Sequence, residues 1–167
     1  MMKIPEVAGS ELKWVPKLKG FELKRGEDVV GTLKFRSMFG TFATGETGDG
    51  AWTFKRVGFI RTAITIRNAA TDTEAAVFRN STWSGGGTLE LPDGRKYRAD
   101  TNFFETKLAI TDEREAPLVY FRNTGLLRSA AAVEIAPAAL SVPELPLLVI
   151  LGFYLMIMIS NDSAANA

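Results

Sequence analysis

The feature that most constrains this chain is the stretch Pro146 to Ile159, PLLVILGFYLMIMI, which is closed off by Ser160, Asn161 and Asp162. A helix that is apolar on every side has to be covered on every side, by lipid or by protein. The stretch is therefore either a membrane anchor or the innermost element of a fold. Ser141-Val142-Pro143-Glu144 has the form of a capping box, Pro143 and Pro146 suit a first helical turn, and Asn161 suits a stop. These signals predict a helix over about 143–160 and a short disordered tail at 161–167. The uninterrupted apolar run, Leu147 to Ile159, would be roughly 20 Å long at ~1.5 Å per residue, short of a ~30 Å hydrocarbon core. Glu144 and Asp162 bracket it and the nearest basic residue is Arg128, so the flanks lack the cationic and aromatic belt of a spanning segment. Burial inside protein is favoured. A C-terminal tail anchor carrying a cytosolic β domain is the alternative.

What precedes the helix reads as all-β. From about Leu12 to Ile135 short alternating runs are separated by turn residues, with no sustained period of 3.6. Gly31, Leu33 and Phe35 alternate with Thr32, Lys34 and Arg36. Trp52 and Phe54 alternate with Thr53 and Lys55, and Ile64 and Ile66 with Thr65 and Arg67. Leu89 and Leu91, Leu108 and Ile110, and Val133 and Ile135 continue the pattern. Each run is a strand with one face buried and one face wet. Pro92-Asp93-Gly94 is an explicit hairpin turn, and Thr71-Asp72 and Thr111-Asp112 mark two more. Turn signals about twenty residues apart suit successive up-and-down hairpins. A sheet of such strands is ~17–20 Å tall, close to the length of the apolar run, so a barrel could enclose it.

A chain of 167 residues is the size of one domain with one core, and residues 1–167 are expected to form it. The formal net charge is only +1, which gives no footprint for nucleic acid, and none is expected as a partner. The chain contains neither cysteine nor histidine. Thiolate, Ser-His and Cys-His chemistry are thereby excluded, a zinc site is disfavoured, and no cofactor or metal is expected. The opening MMKIPEVAGSELKW has no apolar core of a secretory signal, which points to a cytoplasmic protein. A monomer is expected, and no protein partner is indicated.

Other motifs are weak. Gly45-Glu46-Thr47-Gly48-Asp49-Gly50 and Ser84-Gly85-Gly86-Gly87 read as loops: the first lacks the spacing of a calcium loop, the second the lysine of a phosphate-binding loop. Asp112, Glu113 and Glu115, with Asp100 and Glu105, could be paired carboxylates, but a TDERE turn is first a solvated hairpin tip. Trp14, Trp52 and Trp83, interleaved with basic residues, could stack on nucleic-acid bases, yet the alternation around Trp52 makes core packing the simpler reading there, and a net charge of +1 weakens the idea further. No catalytic residue is assigned, and the chain is read as non-enzymatic.

Trp52-Thr53-Phe54, the strand Ile64-Thr65-Ile66-Arg67, the hairpin from Gly87 through Asp93-Gly94-Arg95 to Tyr97, and the final PELPLLVILGFY helix together resemble the tubby C-terminal-like superfamily. That superfamily includes the phospholipid scramblases and the LURP-one-related proteins. The resemblance runs from about residue 10 to 160. It implies a closed antiparallel barrel of about twelve strands enclosing the hydrophobic C-terminal helix. It also implies a binding or regulatory domain that recognises anionic phospholipid head groups or a phosphate-bearing ligand on the barrel surface, peripheral to a membrane. Lys34, Arg36, Lys55 and Arg67, outward by alternation, and Arg56, Arg61, Lys96 and Arg98, near strand ends, are the candidate anion-binding residues. Exposed basic residues on a wet strand face also serve solubility and edge protection alone.

Overall fold

The computed structural model describes residues 1–37, 40–58, 61–81, 86–102, 106–125 and 130–165, the last three by backbone only. A short helix α1 (Ile4–Val7) precedes strands β1 (Leu12–Lys17), β2 (Gly20–Arg25), β3 (Asp28–Phe35) and β4 (Ala43–Thr47). Strands β5 (Gly50–Val57), β6 (Ala63–Asn68), β7 (Glu74–Asn80) and β8 (Gly87–Glu90) follow. The sheet ends with β9 (Lys96–Thr101), β10 (Lys107–Thr111), β11 (Pro117–Asn123) and β12 (Ala131–Ile135). A 3-10 turn, Pro137–Ser141, then leads into helix α2 (Leu145–Ala165).

The strands pair antiparallel in chain order, and β12 returns to pair with β1, so the sheet closes into a barrel with no free edge. Odd strands run from the end where α2 enters to the end where it leaves, and even strands return. The entry end is closed by tight turns at Gly26-Glu27, Gly48-Asp49, Ala69–Thr73, Pro92-Asp93-Gly94 and Asp112–Ala116. At the turn after β6, Asn68 Oδ1 accepts from the Ala70 and Thr71 N–H groups, and Asp72 takes a positive φ of 54°. Pro92-Asp93-Gly94 forms a hairpin turn in which the Gly94 N–H donates to Leu91 O and φ at glycine is +91°. α1 stoppers this end: Ile4 and Val7 are fully buried and the Ile4 N–H donates to Asp49 Oδ2 at 2.8 Å.

α2 is the core of the barrel. Inward residues of the strands, among them Leu23, Leu33, Phe54, Ile66, Phe78 and Phe121, converge on Leu147 to Met158, and every one is buried. Aromatic rings fix the helix azimuth. Phe153 stacks on Trp14 at 4.8 Å and meets Phe21 edge-on at 5.0 Å, while Tyr154 stacks on Phe54 at 5.3 Å and Phe35 at 5.9 Å. The Trp14 Nε1–H finds no acceptor among the described residues, so stacking and burial alone hold that ring.

Two glycines set how closely wall and helix approach. A Cβ on Gly152 would lie 2.1 Å from Cε2 of Phe121, and one on Gly45 would lie 2.5 Å from Cγ2 of Ile150. The first glycine-rich stretch is therefore not one loop: Gly45, Glu46 and Thr47 belong to β4, Gly50 opens β5, and only Gly48-Asp49 turns. In the second stretch Gly87 opens β8, and Ser84 and Gly85 lie outside the described residues.

The helix differs from the sequence expectation at both ends. It is 21 residues long, about 30 Å, so its length no longer argues against a membrane span. The window Leu145–Asp162 is long and apolar enough to cross a membrane by length and composition, and 78% of it is buried inside the barrel. Burial, not shortness, places it in protein. The capping box does not form: Ser141 Oγ donates to Ala138 O within the 3-10 turn, and the Glu144 carboxylate turns to Arg95 and Tyr97. Glu144 O accepts from the Leu148 N–H, so the helix begins at Leu145. Asn161 does not stop it, and the helix continues through Ala165.

Candidate functional site

The described inward residues of the strands are packed against α2. The cavity beside the last turns of the helix, lined by Ile64, Phe78, Leu108, Leu155 and Met158 and reached by Arg56 and Asp162, measures about 30 Å³, room for a single water. Any binding chemistry of the described residues lies on the outer wall or the rims.

The eight candidate basic residues divide into three groups. Lys34, Arg36, Lys55 and Arg61 are exposed around the helix-exit rim. Lys34 and Lys55 stand on the outer wall of β3 and β5, which flank β4. Arg36 lies 3.9 Å over the ring of Phe42, and its backbone N–H donates to Phe42 O. Arg56 shares this rim but not this face. It has the inward parity of Phe54 and pairs with Ile64 across the sheet, so its guanidinium reaches into the barrel mouth and meets both Asp162 oxygens at 2.9 and 2.8 Å. Arg56 lies near the end of β5, as its position in the sequence indicates, and tethers the helix through Asp162. Arg67, Lys96 and Arg98 are exposed on the wall nearer the helix-entry end. Arg67 pairs with Asp72 at 2.8 Å and Arg98 with Asp100 at 3.1 Å, so neither joins the rim group.

The topology adds basic residues that sequence reasoning passed over. Lys17 and Lys19 bound the β1–β2 turn, Arg79 and Arg122 lie one residue before the ends of β7 and β11, and Lys107 opens β10. When each strand is divided at its midpoint and each connection assigned to the end it closes, the described helix-exit half carries ten basic side chains. It carries three acidic ones, Glu22, Asp100 and Asp162, a balance of +7. The helix-entry half carries nine basic and fifteen acidic side chains, a balance of −6. The net +1 of the chain is the small remainder of two opposed poles. Ion pairing sharpens the difference. In the entry half Lys13, Lys24, Arg25 and Arg95 hold partners at Glu11, Glu27, Asp28 and Asp93. At the exit half Lys19, Lys34, Lys55, Arg61, Arg79 and Lys107 form no ion pair among the described residues.

The mouth itself is fixed. The Tyr154 hydroxyl donates to Thr41 O at 2.6 Å, and Thr41 Oγ1 accepts from the Arg56 N–H at 3.3 Å. Burial pushes the Tyr154 phenol up to about 12. The β3–β4 connection, the end of β5 and the last turns of α2 are thus joined by one chain of contacts.

At the opposite pole Glu144 gathers Arg95 and the Tyr97 hydroxyl, which donates at 2.7 Å. Burial and then the Glu144 contact raise the Tyr97 phenol above its ordinary range. Arg95 also clamps Asp93 through its backbone and side chain, holding that carboxyl below its usual range. Of the carboxylates weighed as a pair from the sequence, Asp112 and Glu113 serve the turns. Asp112 Oδ1 accepts from the Arg114 and Ala116 N–H groups, Glu113 Oε1 accepts from the Lys96 N–H, and Glu105 lies outside the described residues. Among the described residues no three Asp or Glu side chains are grouped to hold a metal ion. Trp14 is core, Trp52 is partly buried against it, and Trp83 lies outside the described residues.

Comparison of the chain with models of known families, with characterised proteins and with solved structures gives no match.

Proposed function

We propose that this protein is a non-enzymatic binding domain that docks on an anionic phospholipid surface through the helix-exit end of its barrel, as a cytoplasmic protein peripheral to the membrane. The observation that carries the reading is the charge polarity, +7 at one end against −6 at the other, with Lys19, Lys34, Lys55, Arg61, Arg79 and Lys107 in no ion pair among the described residues. A flat anionic surface attracts the positive pole, repels the negative one, and so fixes orientation as well as affinity. Twelve strands closed around a terminal helix also agree with the architecture that the tubby-like resemblance implies. The filled interior leaves the rim and outer wall as the surfaces for a partner.

The test is a vesicle titration of the full chain at low salt, with phosphatidylcholine vesicles carrying phosphatidylserine from none to about a third of the lipid. Partitioning should rise steeply with phosphatidylserine. The triple variant Lys34→Gln, Lys55→Gln, Arg61→Gln should lose it on the order of a hundredfold, at ~1 kcal/mol per basic residue. The control Lys13→Gln, Lys24→Gln, Arg25→Gln, in the opposite half, should bind as the parent does. Glycerophosphoserine, the free head group, should not compete. Binding indifferent to phosphatidylserine, or equal loss in both variants, would overturn the reading.

A further inference from the structure

Each charged pole also carries apolar surface, convex at one end and concave at the other. At the positive end Leu18 stands at the tip of the β1–β2 turn, 97% exposed, between Lys17 and Lys19. Lys17 reaches Glu22 at 3.7 Å, while Lys19 forms no ion pair among the described residues. At the negative end a cleft of about 370 Å³ opens between α1, the β4–β5 turn and the 3-10 turn. Pro5, Trp52, Leu140, Val142 and Pro146 give it an apolar lining, and Asp49 is the charged group within it. Leu140 is 52% exposed there and Trp52 is half-buried.

Charge surrounds the two patches with opposite signs. Glu6 follows Pro5 on α1, and Glu46 pairs across the sheet with Ala51, the neighbour of Trp52; both are exposed, and with Asp49 they outweigh Lys3. The cleft is held in shape, because Asp49 Oδ2 accepts from the Ile4 N–H at 2.8 Å and so ties the β4–β5 turn to α1. It is large enough for a side chain, since clefts of about 300 Å³ already hold small molecules. A leucine at a hairpin tip with almost all of its surface in water contributes nothing to the barrel. An apolar knob flanked by lysines and an apolar cleft flanked by carboxylates are thus complementary in shape and in sign, and one molecule carries both.

We propose that the Leu18 tip of one copy seats in the cleft beside Trp52 of the next, so that the barrels associate head to tail. Lys17 and Lys19 then face Glu6, Glu46 and Asp49 of the neighbour. Opposed poles attract and like poles repel, which selects this contact over tip-to-tip or mouth-to-mouth pairing. Because tip and cleft lie at opposite ends, the contact is heterologous: every pair keeps one free tip and one free cleft, and association continues into rows. The monomer expected from the sequence is then the form at low concentration or high salt. Lipid is not needed for this contact, although an anionic surface competes with it for the same pole.

The test uses the full chain without lipid. Sedimentation equilibrium at low salt should show an average mass that rises with concentration and returns to the monomer in about 1 M salt, where the screening length is ~3 Å. A tip variant, Leu18→Ser with Lys19→Gln, and a cleft variant, Leu140→Lys, should each associate about tenfold more weakly or worse. Both substitute exposed positions and leave the core untouched. Mixed in equal amounts, the two should complement: the intact tip of one enters the intact cleft of the other, and the complex stops at a dimer of one of each. With an isotope label on the tip variant, amide resonances around Asp49 and Trp52 should shift when the cleft variant is added. A parent that stays monomeric up to about 1 mM at low salt would overturn the proposal. So would variants that fail to complement, or association undiminished in high salt. None of these results bears on the vesicle titration, and failure of that titration leaves the head-to-tail contact standing.

Discussion

Replacing Gly152 by alanine reports directly on what surrounds the helix. At an exposed helical site this substitution stabilises by about 1 kcal/mol, because glycine is the poorer helix former. Here the added Cβ would stand 2.1, 2.2 and 2.9 Å from Cε2, Cζ and Cδ2 of Phe121. Phe121 is fully buried on β11, which is held by β10 on one side and β12 on the other, so the ring cannot retreat without disturbing two ladders. Overpacking of this kind costs ~1–3 kcal/mol, and the clash is severe enough to exceed the propensity gain. Urea unfolding followed by tryptophan fluorescence should show a net loss of about 1–2 kcal/mol, or several degrees in Tm. Phe121→Leu alone should destabilise, while the double variant should lose less than the sum of the two, a coupling that marks direct contact. Stabilisation by Gly152→Ala would refute the reasoning, because it would mean that this face of the helix has no protein wall against it.

Three further outcomes are expected. Truncation before Pro143 removes the helix at the centre of the core and should give an aggregated or unfolded product; a soluble, cooperatively folded one by circular dichroism would contradict the packing. In alkali, Tyr154 should ionise at about 12 in the barrel against 10 when unfolded, so between those values the unfolded state binds fewer protons and stability falls as pH rises. The Tyr154 contribution is complete below pH 10 and amounts to up to ~2–3 kcal/mol. Tyr154→Phe should flatten that part of an alkaline unfolding profile, and an unchanged slope would show that the phenol is not buried in the barrel. Asp162→Asn breaks the half-exposed pair with Arg56 and should cost less than ~1 kcal/mol, with faster amide exchange confined to the last turn of α2; a global loss would mean that the tether does more than its exposure permits.

Much of the fold is legible in the sequence, because alternation and apolar periodicity are local properties. Ile64 and Ile66, Leu89 and Leu91, and Leu108 and Ile110 all face inward as their alternation requires, and the turns at 72, 93 and 112 all close hairpins at one end. β4 escaped notice because its glycine reads as a loop; Gly45 is there to admit Ile150, a reason that exists only once helix and wall are assembled. The helix stop at Asn161 failed for a similar cause, since Arg56, more than a hundred residues away, holds Asp162 at the mouth. The candidate site was less legible. Alternation shows that Lys34 and Lys55 face outward, but not that they share a rim with Lys19, Arg79 and Lys107. That requires the direction of each strand, and the sum over the chain, +1, conceals the two poles.

The most direct test of the account is flotation of the full-length chain, without detergent, on vesicles containing phosphatidylserine. The account predicts recovery with the vesicles at low salt and release of folded protein in about 1 M salt, where the screening length falls to ~3 Å. Retention through that wash, with release by detergent alone, would contradict it, because the helix would then lie in the bilayer instead of the barrel.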